Sequence, residues 1–255
     1  MKVAILAGGL GSRLSEETRS KSKAMVEIGG RPILWHIMKY YASFGLNEFV
    51  IALGYRGETV RQFFAEEGFR TGGPNGSADG SVAHERRQNH EWIVDLVDTS
   101  LETQNGGRIK RLSPYLGGST FMLTWCDGLS DVDFDDLLTF HRAHGRLATL
   151  TAIHPPGRFG RLGLDGSRVA RFEEKTTDPD EWINGAFFVL EPGVLDYIAG
   201  DEAQFERAPL EGLAMDGQLM AYRHESFWQC MDTLKEAHSL ESLWQSGRAP
   251  WKVWS

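Results

Sequence analysis

The stretch Lys2-Val3-Ala4-Ile5-Leu6-Ala7-Gly8-Gly9-Leu10-Gly11-Ser12-Arg13-Leu14 decides the fold. Val3 to Leu6 is apolar without alternation, the pattern of a strand buried on both faces in a parallel sheet covered by helices. The strand breaks at glycines, which let the backbone approach a ligand closely and let successive N–H groups cradle an anion. Arg13 adds a forked donor suited to phosphate oxygens. In open α/β sheets ligands bind beyond the carboxyl ends of the strands, where this loop lies. It is not a Walker loop, because Gly-Lys-Ser/Thr is missing, and the Gly-x-Gly-x-x-Gly dinucleotide spacing is absent. Taken alone it also reads as a tight strand-to-loop turn. Arg13 and the downstream Lys23 favour a phosphate site.

Outward from this stretch the same architecture recurs. Pro32 is expected to open a helix carrying Ile33, Leu34, Ile37, Met38 and Tyr41 on one face. Phe49 to Leu53 reads as a second buried strand, followed by a short helix with Val60, Phe63 and Phe64. That order implies a parallel sheet with right-handed crossovers. Gly68 to Ser81 reads as a long loop or lid. Further strands are expected at Trp92–Val97, Phe121–Trp125, Ala148–Ile153 and Phe187–Leu190, with a hairpin over Leu162–Phe172 turning at Asp165-Gly166. Asp133 reads as the N-cap of a helix that Gly145 stops. The last third alternates short helices and loops and ends in the aromatic Ala249-Pro250-Trp251-Lys252-Val253-Trp254. One α/β domain with a C-terminal extension accounts for all of this.

Composition narrows the function. The formal net charge of -8 over 255 residues disfavours nucleic acid or an anionic membrane as partner. A phosphate site must therefore be local. Cys126 and Cys230 are the only cysteines, which excludes a disulfide framework and fits a reducing cytoplasm. The opening apolar run is too short for a signal peptide, and no stretch approaches transmembrane length. The histidines show no zinc spacing.

The segments Gly8-Gly9-Leu10-Gly11-Ser12-Arg13-Leu14 and Lys23-Ala24-Met25-Val26-Glu27-Ile28-Gly29-Gly30-Arg31-Pro32-Ile33-Leu34 resemble the opening of sugar nucleotidyltransferases. Leu34-Trp35-His36-Ile37-Met38-Lys39, Pro155-Pro156-Gly157-Arg158-Phe159-Gly160, Ile183-Asn184-Gly185-Ala186-Phe187-Phe188, Phe227-Trp228-Gln229 with Met231-Asp232-Thr233, and Ala249-Pro250-Trp251-Lys252 resemble the glucose-1-phosphate cytidylyltransferase branch. The likeness spans nearly the whole chain and is weakest around residues 66 to 90.

The resemblance implies a Rossmann-like, mixed and mostly parallel sheet flanked by helices, of nucleotide-diphospho-sugar transferase type. Residues 1–130 would be mainly nucleotide-binding and 131–225 mainly sugar-binding, with 226–255 carrying a second metal ligand and the tail. It implies Mg²⁺-dependent, in-line attack by a sugar 1-phosphate on the α-phosphorus of a nucleoside triphosphate, CTP in this branch, releasing pyrophosphate. The nucleophile is already an anion, so positioning and electrostatics carry catalysis. By resemblance, Asp127 and Asp232 hold the metal, and Arg13 and Lys23 hold the phosphates. The nucleotide lies against Leu6, Ala7, Gly8, Gly9, Gly11, Ser12, Thr103, Arg108 and Cys126. Glu174, Lys175, Asn184 and Gly185 take the sugar phosphate. Closed homo-oligomers are the base expectation for such enzymes.

Each assignment has a bland counterpart. Asp127 before Gly128 could form a turn, Asp232 could cap a helix, and Lys23 could be a solvated charge. Gly106-Gly107 before Arg108 could be only a turn. The sequence also departs from the family. Prolines that usually flank the lysine at position 23 are replaced by Ser22 and Ala24, which should leave Lys23 less preorganised and weaken triphosphate affinity. Thr176 replaces a proline after Lys175, and Cys126 stands where glycine is common. Three other readings remain open: a different sugar phosphate or base, a glycosyltransferase using Asp131-Val132-Asp133, and a binding module that lost catalysis.

Overall fold

The computed structural model describes residues 1–9, 18, 20–71, 84–155, 161–165, 168–173 and 181–254. Its strands are β1 (Lys2–Leu6), β2 (Glu27–Ile28), β3 (Arg31–Pro32), β4 (Glu48–Leu53), β5 (Arg70–Thr71), β6 (His84–Gln88), β7 (Ile93–Asp98), β8 (Phe121–Trp125), β9 (Gly128–Ser130), β10 (Ala148–Ile153), β11 (Arg161–Asp165), β12 (Arg168–Glu173), β13 (Ile183–Leu190), β14 (Leu219–His224) and β15 (Trp228–Cys230). The helices are α1 (Ile33–Ala42), α2 (Gly57–Glu66), α3 (Asn105–Leu116), α4 (Phe134–His144), α5 (Ala208–Met215) and α6 (Leu234–Gln245).

Nine strands form one sheet in the order β14-β10-β13-β8-β1-β4-β7-β6-β5. β8, β1, β4 and β7 are parallel, and β10 is parallel to β14. β13 and β6 run against their neighbours, so the sheet is mixed but mostly parallel. Alternation along β1 explains its unbroken apolar run. Val3 and Ile5 enter one core with α1, α2, α4 and α6, while Ala4 and Leu6 enter a second core with α3 and α5. Helices therefore cover both faces, as a strand without polar residues requires. In the first core Tyr41 stacks on Phe134 at 4.2 Å between centroids.

Several local expectations need correction. Pro32 does not begin α1. It pairs with Glu27 in the β2–β3 ladder and stands as the N-cap, with φ -55° and ψ 144°. The loop expected over Gly68–Ser81 begins instead with β5, and residues 72–83 lie outside the described residues. β6, His84-Glu85-Arg86-Arg87-Gln88, carries no apolar alternation to announce it. Arg61 meets Glu85 at 3.2 Å and His84 meets Asp95 at 2.9 Å along it. Gly106-Gly107 is not a turn but the first turn of α3, a helix that also contains Pro114. Helix propensity disfavours all three residues, and tertiary contact overrides it. A Cβ at Gly106 would lie 2.6 Å from the Ala203 carbonyl oxygen, and one at Gly107 would lie 2.5 Å from Asp201 Cα. The hairpin over Leu162–Phe172 forms as β11–β12.

The carboxyl-terminal tail closes over α1. Trp251 is wholly buried, and its indole Nε1 donates to His36 Nδ1 at 3.3 Å. His36 Nε2 bonds the Ile28 carbonyl at 2.7 Å. Burial, opposed by that carbonyl, depresses the His36 imidazole to about 4. Trp244 of α6 stacks edgewise on His36 and fills the space above Gly29, whose φ is +61°.

Candidate active site

β1 lies between β4 and β8, and the chain visits β4 and β7 on one side before β8 on the other. Strand order thus reverses at β1, and the crevice beyond β1 and β8 is where such sheets bind ligands. The register pairs Leu6 with Trp125, so Gly8-Gly9 and Cys126-Asp127 leave the sheet side by side. Cys126 N–H donates to the Leu6 carbonyl at 3.3 Å, and Tyr55 N–H to the Gly8 carbonyl at 3.2 Å. A cavity of about 570 Å³ opens there.

Asp127 and Asp232 meet because a small ladder joins their flanks. β9 follows Asp127 and β15 precedes Asp232, and the two strands pair with Cys230 opposite Gly128. The Asp127 carbonyl then accepts from Met231 N–H at 2.7 Å. Asp232 is not the cap of the next helix. Thr233 caps α6 in a capping box with Glu236, and Glu236 also accepts from Asp232 N–H at 2.8 Å. Both carboxylates are thereby left to face the crevice.

Lys23 joins them. Its Nζ lies 2.8 Å from Asp127 Oδ2 and 2.7 Å from Asp232 Oδ1. Burial alone would lower the ammonium's pKa, but Asp127 and Asp232 together outweigh it and raise it. Lys23 opens a 3-10 turn, Lys23–Met25, beneath which Ala24 is buried. Ser22 fixes the chain before this turn by hydrogen bonds. Its N–H donates to Thr59 Oγ1 at 3.2 Å, and its hydroxyl donates to the Ala7 carbonyl at 3.3 Å. One ammonium between two carboxylates leaves a local excess of negative charge. Hard oxygen donors with that excess suit a Mg²⁺ ion, which keeps waters or takes phosphate oxygens in its other positions. Among the described residues no third Asp, Glu, His or Cys joins the pair.

Arg108 is buried behind the glycine loop. Nη1 donates to the Leu53 carbonyl (3.2 Å), Thr99 Oγ1 (2.6 Å) and the Ser100 carbonyl (2.8 Å), and Nη2 donates to the Leu101 carbonyl (3.2 Å). A Cβ on Gly8 would lie 2.3 Å from Nη1, so glycine at this position makes room for the guanidinium. Ser100, with φ +68°, sits in the turn that Arg108 grips. No sequence motif signals that packing.

Of the expected site residues, Leu6, Gly8, Gly9, Lys23, Thr103, Arg108, Cys126, Asp127 and Asp232 line the one cavity. Ala7 is buried beneath it. Asn184 and Gly185 lie outside its lining. Asn184 Oδ1 accepts from Ala186 N–H at 2.8 Å, and the Gly185 carbonyl accepts from Trp228 Nε1 at 2.7 Å. Gly11, Ser12, Arg13, Glu174 and Lys175 lie outside the described residues. Burial, reinforced by neighbouring Asp127, pushes the Cys126 thiol up to about 12. Asp133 caps α4 by accepting from Asp135 and Asp136 N–H groups, and Asp131 accepts from Ser226 Oγ at 2.7 Å beside His224. Neither aspartate of the Asp-x-Asp reading lines the cavity. Leu101, Glu102, Gln104, Asn105, Trp125, Gln204 and Glu206 line it without having been expected. Among them Gln204 and Glu206 sit in an irregular segment that carries no motif.

Comparison with known proteins identifies the family. The chain is 46% identical over 256 residues to glucose-1-phosphate cytidylyltransferase of Salmonella typhi, covering 100% of both chains. It is 39% identical over 255 residues, again covering 100% of both, to the probable glucose-1-phosphate cytidylyltransferase of Bacillus subtilis. In fold it is similar to HddC from Yersinia pseudotuberculosis, with a TM-score of 0.71 at 19% identity over 95% of this chain and 99% of that one. No described helix is long and apolar enough to cross a membrane. Residues 2–231 match the family described as nucleotidyl transferase, and the chain belongs to that family.

Proposed function

We propose that the protein condenses CTP with α-D-glucose 1-phosphate, giving CDP-glucose and pyrophosphate. The observation that carries the reading is the meeting of Asp127 and Asp232 on Lys23 at the mouth of the Gly8-Gly9 loop. Full-length likeness to cytidylyltransferases at 46% identity supports the choice of base and sugar.

In this reading Asp127 and Asp232 hold a Mg²⁺ ion, which when bound neutralises triphosphate charge and orients the α-phosphoryl group. Lys23, already fixed by its own turn, donates to the phosphates flanking the transferred group. Arg13 takes the departing pyrophosphate. Leu6 to Gly9, Gly11 and Ser12 wrap the nucleotide, with Thr103, Arg108 and Cys126 behind them. Lys175 and Glu174, with Asn184 and Gly185, receive the sugar phosphate. No side chain need remove a proton, because the attacking phosphate oxygen is ionised at neutral pH. The chain's contribution is in-line placement of two anions and relief of their repulsion. A nucleoside triphosphate substrate and two free thiols support a cytoplasmic enzyme, and a closed homo-oligomer is expected.

The test is incubation of the purified protein with MgCl₂, CTP and glucose 1-phosphate, followed by mass analysis. CDP-glucose and stoichiometric pyrophosphate are expected, with EDTA abolishing both. Pyrophosphate release only with another triphosphate or another sugar phosphate would overturn the assignment.

A further inference from the structure

The cavity has two chemically different ends. One holds Gly8, Gly9, Lys23, Asp127 and Asp232. The other is formed by the first turn of α3 and by residues 201–206, which bring Gln204 and Glu206 to the lining. Phe205 anchors that segment. It is wholly buried in the second core, 5.6 Å from Phe188 and 6.5 Å from Trp125 between ring centroids. Its two neighbours are left on the cavity. Asn105 Oδ1 accepts from Phe205 N–H at 2.8 Å, and Asn105 Nδ2 donates to Glu206 Oε2 at 2.6 Å. Arg111 grips Asp201 through Nε at 2.9 Å and Nη2 at 2.6 Å. Gln104 N–H donates to the Asp201 carbonyl, and Gly106 and Gly107 N–H groups donate to the Ala203 carbonyl. The glycine pair of α3 is what lets the segment approach so closely.

This second end suits the uncharged part of a nucleotide. Its amides at the start of α3 are committed to Asp201 and Ala203 carbonyls, Arg108 is committed to carbonyls and Thr99, and the carboxylates of Glu102 and Glu206 repel phosphate. Resting on the CTP reading above, we propose that Glu206, held by Asn105, is the residue that selects the base. An ionised carboxylate only accepts hydrogen bonds. It takes an N–H of the exocyclic amine of cytosine and rejects uracil, which presents a carbonyl oxygen at the same position. Because Asn105 already fixes the carboxylate, the acceptor is oriented before the substrate arrives.

The experiment compares wild type with Glu206→Gln. CTP and UTP binding are measured by calorimetry without sugar phosphate, and kcat/KM for each triphosphate is measured with glucose 1-phosphate and Mg²⁺. Glutamine keeps the shape and the contact to Asn105 but can donate to a carbonyl oxygen. The CTP-to-UTP ratio is expected to fall about tenfold or more in both measurements. KM for glucose 1-phosphate should stay unchanged. Asn105→Ala, which releases the carboxylate, should shift the same ratio in the same direction by less. An unchanged ratio in Glu206→Gln, or a raised KM for glucose 1-phosphate in its place, overturns the proposal. If wild type makes no CDP-glucose, the functional reading fails, and the binding ratio still decides the role of Glu206.

Discussion

Replacing Lys23 by methionine removes the ammonium that bridges Asp127 and Asp232 and keeps the length of the buried stem. Nζ stands 2.8 Å and 2.7 Å from its partners, with 11% of the Lys23 side chain exposed and 26% and 21% of the two aspartates. Two unit negative charges left roughly 5 Å apart repel by about 3 kcal/mol at an effective dielectric of about 20. Breaking a fully buried pair costs about 3–5 kcal/mol, and the solvent reaching these carboxylates reduces that to about 2 kcal/mol. For a chain of this size that is a fall in Tm of roughly 5 °C. The emptied carboxylate pair also becomes a better seat for a cation, which no longer has to displace an ammonium. Saturating Mg²⁺ at about 100 times its Kd returns about 2.7 kcal/mol. Scanning fluorimetry of both proteins in EDTA and in MgCl₂ measures both effects. Equal Tm values in EDTA, or a Mg²⁺ shift no larger in Lys23→Met than in wild type, would refute the reasoning.

Three other outcomes follow from the same geometry. Asp232→Asn keeps the bond-forming backbone of the α6 cap but halves the carboxylate pair, and should lower kcat about 100-fold with little change in Tm, read by pyrophosphate release. His36 is depressed to about 4 from an ordinary 6.5, so the unfolded chain takes its proton first. Its contribution is complete above pH 6.5 and is lost as pH falls toward 4, by about 3 kcal/mol. Urea titrations at pH 7 and pH 4.5 should show a smaller loss in His36→Gln than in wild type. Gly29→Ala forces a Cβ to 1.9 Å from Trp244 Nε1 at a φ of +61°, and should cost about 3 kcal/mol by denaturant midpoint.

The fold was legible wherever burial on both faces left an unbroken apolar run, as in β1, β4 and β8. It was least legible where contact overrules local preference. α3 begins with two glycines and contains a proline, and only the approach of residues 201–206 explains why it is helical there. β6 is polar throughout and is held by ion pairs that no periodicity encodes. In the site, Asp127 could be placed from its position at a strand end. The convergence of Asp232 with it came from family likeness, and its physical cause, the β9–β15 ladder, has no short sequence signature. Arg108 was associated with the nucleotide, yet its donors hold carbonyls of the surrounding loops. Ser22 carried no signal for its hydrogen bonds to Thr59 and the Ala7 carbonyl, which join residues distant in the chain.

Lys23 and Asp232 are separated by 209 positions in the chain and share one hydrogen bond. During synthesis the lysine can find Asp127 once the central strands have emerged, but its second partner lies far beyond that aspartate and emerges later. A product cut short before that point lacks half of the acidic pair however well its amino-terminal strands assemble. If the pair seats the metal as proposed, an incomplete chain would be silent rather than partly active.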